Sequence, residues 1–597
     1  MSSIPSFAAG TYLATRSTRN LVDLKGSLEG LTTQLSTGRT ADTYGGLGAG
    51  RTTSLSARAT ISALDGYTAA ITGAETRVKL ATASLTQIAT VASTTNTTLN
   101  AYLTATTTDG TSLGAALARS SLDAVADALN QTVGDQFIFG GRATDTAPVI
   151  STATMLNGDP AKGLVGLKAL VAEQTAADLG SLGNGRLTQT QAGGAIRLSE
   201  DASAQARANF GFSLLGATST NGTAITATRT GGQDATVDLA LATQPSPGDR
   251  VRVALVQADG SQSIVDLTAA TSADSTGSFA IGATAAETAA NLKAALGTDA
   301  RIASVQSANP PGLSATFAGG SAATVDLSVQ GNPAVGDSVT VTVGLKDGTT
   351  QEITLTAAAN VTPGSTGSFA IGATPEATTA NLSDALSNAL KRTAGTALTA
   401  SSTTRAAQNF FDGSASAGLA PRRVSGDGYA ETADPKTVIW YTGDDAASDP
   451  RATSTARISA ARTVAIGARA NEAPIRQVLA GLASLAVSDV IGASGSADTA
   501  ASQALGTRAQ GLLSQSRSAG PSVTEMAGEF AIASSTMGNA KEQAASTKQT
   551  LQTAIDGVES VSTEEVTVKL LALQTQLQAS YKVTSMLSQL TLVNYMG

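Results

Sequence analysis

The chain has 597 residues, 14% of them charged and 3% aromatic, with a formal net charge of −8 and a pI near 4.9. It is long enough for several cores, and too acidic for the Lys- and Arg-driven grip on phosphate that sequence-independent nucleic-acid binding needs. It holds no His and no Cys, which removes the commonest general base, thiol nucleophiles, disulfides and zinc sites built from those residues.

At the start, "MSSIPSFAAGTYLATRSTRN" lacks the basic stretch and apolar core of an ordinary secretory signal. Leu21, Leu24, Leu28, Leu31 and Leu35 then step by alternating threes and fours, the spacing of a coiled-coil seam. Gly38 stands where that helix should end, and "YGGLGAG" at Tyr44 to Gly50 reads as a break. A second, long helix carries Leu64, Tyr67, Ile71, Ala74, Val78, Ala81, Leu85, Ile88, Ala92, Thr95, Leu99 and Tyr102 on one stripe. A further helical piece leads into "FIFGGRATDTAPV", extended at Phe137 to Phe139 and turning at Gly140 and Gly141.

From about residue 146 the pattern changes to period two, with Thr and Val alternating between Gly, Pro and Asp-Gly turns, as in "DSVTVTVGLKDGTTQEITLTA". This region repeats itself. ATVDL occurs at Ala235 to Leu239 and at Ala323 to Leu327, and Asp259-Gly260 recurs 88 residues later as Asp347-Gly348. "GSFAIGAT" at Gly277 recurs 90 residues later at Gly367, and "ETAANLKAAL" answers "ATTANLSDAL" at that offset. Each copy reads as several strands and a short helix, and two copies suggest tandem, independent small domains rather than a solenoid.

Helical periodicity returns near "RANEAPIRQVLAGLASLAV" and runs from about residue 498 onward. "STEE" at Ser562 to Glu565 has capping-box spacing. Beyond it lies a second seam of Val566, Leu570, Leu573, Leu577, Ser580, Val583, Leu587 and Leu590. The expected fold is therefore α+β: a long antiparallel coiled-coil stem formed by both termini, with β-rich outer domains, including a duplicated small domain, inserted between them. The expected boundaries are 1–145 for the N-terminal stem, 146–230 for the start of the outer region, 231–310 and 320–400 for the two repeats, 401–495 for an outer β/α region and 496–597 for the C-terminal stem. An apolar stripe must be buried against something, and the apolar finish "LTLVNYMG" suggests that neighbouring copies of the chain complete the seam.

Three stretches resemble a known family. "LTTQLSTGR" at Leu31 to Arg39 resembles the N-terminal signature of bacterial flagellins and hook-associated proteins. "FIFGGRATDTAPV" and "LQASYKVTSMLSQLTLVNYM" are similar to the hook–filament junction branch of that family. The likeness covers roughly the first 150 and last 100 residues; "TADTYGGLGAGRTTSLS" replaces the Asp-Asp-Pro-Ala type of segment common after the signature. The resemblance implies a structural subunit of the bacterial flagellum, polymerising through paired terminal helices with its middle domains facing outward. It implies export without a cleaved signal to an extracellular location, and partners among its own copies, hook and filament subunits and an export chaperone on the C-terminal helix. A filament flagellin, or a surface adhesin on the same scaffold, is the alternative.

No cofactor, nucleic acid or membrane span is expected: no apolar run approaches the roughly 20 residues a spanning helix needs. Nor is catalysis, since no carboxylate pair can be nominated and zinc proteolysis needs His ligands. The Asp-Gly pairs read as turns, lacking calcium-loop spacing. "GDDAASDP" at Gly443 to Pro450 reads as a solvated loop before it reads as a cation site, and Trp440 and Tyr441 read as core.

Overall fold

A computed structural model describes residues 6–102, 112–273, 277–297, 299–308, 311–445, 449–487, 498–515 and 521–593, with the side chains of 6–11, 13–14, 587–593 and Tyr102, the last residue of the expected stripe, outside the description. The chain is a mixed α+β fold in two compact units. The first comprises Met1–Glu75, Ala456–Val464 and Ser534–Gly597, and the second Thr76–Thr455 and Ala465–Ala533. The boundaries expected at 145 and 496 thus fall inside the second unit.

Four long helices account for most of the first unit: α1 (Ser6–Thr37), α2 (Gly50–Tyr102), α3 (Val523–Glu559) and α4 (Thr563–Val593), of which α2 and α3 contribute to both units. Thr is a poor helix former, yet α2 carries many. Its hydroxyls at Thr60, Thr68, Thr72, Thr82, Thr86 and Thr90 each donate to the carbonyl four residues back, so none competes for the backbone elsewhere. The stripe read from the sequence is the buried one, with Ile71, Leu85, Ile88 and Leu99 fully enclosed. Each such side chain contributes about 1.5–3 kcal/mol. Gly38, at φ +69°, ends α1 and donates its N–H to Gln34 O at 2.8 Å, the left-handed helix stop that glycine permits.

The second unit holds the β-rich region. Its strands are β1 (Thr188–Ala192), β2 (Ala195–Ser199), β3 (Ser213–Ser219), β4 (Ile225–Thr230), β5 (Thr236–Leu241), β6 (Arg250–Val256), β7 (Gln262–Ala270) and β8 (Ser278–Ala280). After a helix at Ala285–Leu296 follow β9 (Ile302–Ser307), β10 (Leu313–Ala318), β11 (Thr324–Val329), β12 (Ser338–Gly344), β13 (Thr350–Ala358) and β14 (Ser368–Ala370). The bounds of β4 to β7 recur 88 residues later in β10 to β13, so the duplication reaches back past Gly231 to include β4.

The two copies are not independent tandem domains, and this corrects the boundaries at 231–310 and 320–400. Strand β10 pairs antiparallel with β5, and β9 with β6, whereas β4 pairs with β11 and β3 with β12. The leading strands of each copy therefore complete the sheets of the other. Even the irregularity is shared, at Ala254/Leu255 in one body and Thr342/Val343, 88 residues on, in the other. The result is one continuous body from β5 to β10 inserted into a second body built from β1–β4 and β11–β14. Gln233 and Ser321 close the neck, each donating its N–H to the other's carbonyl at 3.0 Å.

Each body has its own core with matching members. Val237, Val251, Val253, Leu267 and Phe279 line the inserted body, and Val325, Val339, Val341, Leu355 and Phe369 the other. The Asp-Gly turns match too. Asp259 accepts from Ser261 N–H and Oγ at 2.9 and 2.6 Å, and Asp347 from Thr349 N–H and Oγ1 at 3.0 and 2.6 Å, the side-chain turn that Asp favours.

Beneath these bodies the helix Ala473–Ala486, buried almost all round, packs on Leu113–Leu129, Thr399–Phe411 and Thr499–Ser514. Trp440 and Tyr441 are core as expected; the Trp440 ring meets Phe411 edge-on at 5.2 Å and its Nε1–H donates to Phe411 O at 3.0 Å. Phe137 lies in a short strand, and Gly140 is required, because a Cβ there would come within 2.0 Å of Ala143 O.

Candidate assembly surface on the terminal helices

Helices α1 and α4 lie antiparallel. Ser17 Oγ and Thr584 Oγ1 are 3.4 Å apart, and Arg39 forms a β-bridge with Ser560. The Ser17–Thr584 contact sets the register. At one rise per residue it brings Leu21 level with Ser580, Leu24 with Leu577, Leu28 with Leu573 and Leu31 with Leu570. All of these side chains except Ser580 are the apolar residues of the two expected seams. Each is only half-buried, while Val566 is fully buried. A pair of helices covers one side of each stripe and leaves its flanks to solvent, which is why the seam is not a core.

Two expected positions depart from this seam. Val583 is 55% exposed and Thr584 takes its place. Choosing the apolar residue broke the three–four alternation after Ser580, and the helix followed the period. Leu35, at the end of α1, is 37% exposed. Leu587 and Leu590 lie outside the described side chains, although the backbone of α4 is helical to Val593.

The outer side of α4 adds a feature the seam reading missed. Val568, Leu571 and Met586 are 66%, 57% and 55% exposed. Val568 and Met586 stand eighteen residues apart, five turns of about 3.6 residues, and so share one azimuth. Apolar residues on both faces leave α4 amphipathic in neither sense. Also missed was the stripe of α3, where Val523, Met526, Phe530, Ala533 and Met537 are buried. Their spacing of 3, 4, 3 and 4 was legible in the sequence.

The joint between α3 and α4 is tied to the start of α2. Arg58 Nε and Nη2 donate to the two Glu559 carboxylate oxygens at 3.1 and 2.8 Å, and Ser54 Oγ also donates to Glu559. Thr40 N–H donates to Glu559 O at 2.7 Å and Val561 N–H to Gly38 O at 3.1 Å. Ser562 caps α4 by accepting Glu565 N–H at 3.3 Å, but the reciprocal half of the capping box is absent: Glu565 pairs with Lys569 at 2.6 Å instead.

The Arg58 guanidinium, then the Ser54 hydroxyl, hold the Glu559 carboxyl below its ordinary value of 4.5. A depressed folded-state value means that this link stabilises above pH 4.5 and is lost as pH falls through the folded value. Glu559→Gln should therefore lower the melting temperature slightly at neutral pH. The difference from the parent chain should vanish in acid below the folded value. Melting curves across pH check this, and a difference that grew in acid would contradict the assignment.

Among the described residues no group of three His, Cys, Asp or Glu could hold a metal, and no helix is long and apolar enough to cross a membrane. Of the Gly443 to Pro450 stretch, 446–448 lie outside the description. Asp445 is not solvated as expected; it is buried and accepts the Ser414 hydroxyl. No family model matches the chain, and no curated protein matches it.

Proposed function

We propose that this chain is a self-assembling structural subunit of the bacterial flagellum, polymerising through its paired terminal helices and standing at the junction between hook and filament. The observation that carries the assembly reading is the half-buried seam of α1 and α4 together with the exposed apolar face of α4 at Val568, Leu571 and Met586. A protein that functioned alone would gain by polar residues there. The flagellar assignment rests on the resemblance of Leu31–Arg39, "FIFGGRATDTAPV" and the C-terminal stretch to that family. The absence of His and Cys, which removes many catalytic routes, agrees with a structural role.

On this reading the partners are further copies and the subunits of hook and filament, with an export chaperone covering α4 beforehand, and the destination is extracellular. The β-rich bodies face outward. Fluorescent labelling of the middle region in intact cells tests the position: one spot at the base of each flagellum is expected. Label along the whole filament would instead make the chain a filament flagellin, and label on the cell body away from flagella would overturn the flagellar reading.

A further inference from the structure

Between the two β-rich bodies lies a cavity of about 690 Å³, whose lining includes Ser213, Leu215, Arg229, Ala258, Arg301 and Lys346. Lys346 is out of place there. It sits at the β12–β13 hairpin and is 5% exposed, yet among the described residues no carboxylate pairs with it. Its ammonium nitrogen donates to the Ser213 hydroxyl at 2.8 Å. A buried ammonium held by one neutral oxygen is poorly compensated. Ala258 occupies the equivalent position 88 residues earlier and lines the same cavity. One copy thus supplies the amine, where the other carries only the methyl group of an exposed alanine.

We infer that Lys346 is a nucleophilic amine that condenses with small carbonyl compounds bearing an anionic group, forming an imine inside this cavity. The neutral nitrogen's lone pair attacks the carbonyl carbon and the carbonyl π pair moves to oxygen. That oxygen is protonated and leaves as water while the nitrogen loses its protons, so amine and carbonyl give imine and water with no oxidant or reductant. The Ser213 hydroxyl, within hydrogen-bond reach of the nitrogen, is placed to relay the proton. Arg229 on the wall, anchored on Leu214 O at 2.7 Å and in no ion pair among the described residues, supplies the positive charge for the anionic group, whereas Arg301 is compensated by Asp234 at 2.8 Å.

Desolvation pushes the Lys346 amine down to about 8. Arg405 and Arg301 act in the same direction, against Glu200 and Asp178. A sizeable fraction is therefore neutral near physiological pH, against a trace for a solvated lysine. This chemistry does not depend on the assembly reading.

The full-length chain is incubated with glyoxylate and cyanoborohydride at pH 7.5, and each lysine's alkylation is followed by peptide mass spectrometry. Lys346 should react about tenfold or more faster than the exposed Lys168 and Lys548. In Ala258→Leu, which adds bulk to the cavity lining, the rate at Lys346 should fall several-fold with the melting temperature held. Labelling of Lys346 no faster than the exposed lysines overturns the inference, as does an unchanged rate in a folded Ala258→Leu chain.

Discussion

Leu571→Asp is expected to leave the isolated chain folded and to abolish its self-assembly. Leu571 is 57% exposed, and a surface substitution of this kind changes stability by about 0.5 kcal/mol or less. In an assembly that buries the outer face of α4, the same carboxylate would be desolvated without a partner, a cost of several kcal/mol at every subunit contact. Leu577→Asp sets the contrast. That side chain is half-buried and level with Leu24 on α1, so its replacement should cost about 1–3 kcal/mol and loosen α1 before any assembly begins. Melting curves separate the two variants, and sedimentation with electron microscopy of the products reads assembly. A Leu571→Asp chain that polymerised like the parent would remove the outer face of α4 from the interface.

The second large effect concerns the nested bodies. Replacing residues 234–320 by Asn-Gly should yield a chain that still melts cooperatively. Gln233 and Ser321 are already paired antiparallel, and Asn-Gly is the two-residue turn that such a pair accepts. The excision removes β5 to β10 together, so every strand taken away leaves with its partner. It also uncovers the groups on which the inserted body rests, since Arg252 donates to Asp412 O and Arg422 to Ser304. A fall of several degrees in the melting temperature is expected.

Removing 230–395 should be far worse. It takes β11 to β14, leaves β3 and β4 without a strand partner and β2 with β1 alone, and exposes Leu198, Leu214 and Ile225. At about 1.5–3 kcal/mol for each apolar side chain, that approaches a domain's whole stability of roughly 5–15 kcal/mol. Size-exclusion chromatography and circular dichroism distinguish the outcomes. The nested topology would be refuted by a well-folded 230–395 deletion beside an aggregated 234–320 one.

Much of this protein is legible residue by residue. The stripe from Leu64 to Leu99, the stop at Gly38, the cap at Ser562 and both Asp-Gly turns follow from local periodicity and turn chemistry. These act within a few residues and survive any tertiary context that buries one helix face. The seams of α1 and α4 were visible for the same reason. Val583 shows the limit of that reasoning: hydrophobicity marks a residue as suited to burial, but the helical period decides whether it points inward.

What only the tertiary structure decided is partner choice. The two copies carry the same ATVDL strand, so nothing local says whether β5 should pair with β4 or with β10; the exchange depends on which closure buries both cores. Arg252 and Thr340 show the consequence, being equivalent residues 88 apart with different fates. Arg252, 1% exposed, is paired to Asp266 beneath the inserted body, while Thr340 merely meets Thr354 across its own hairpin. Local sequence set the strands of both copies alike. The surfaces they met made one arginine part of a core and left Lys346 buried against the Ser213 hydroxyl, because burial is a property of the whole packed chain and not of any segment in it.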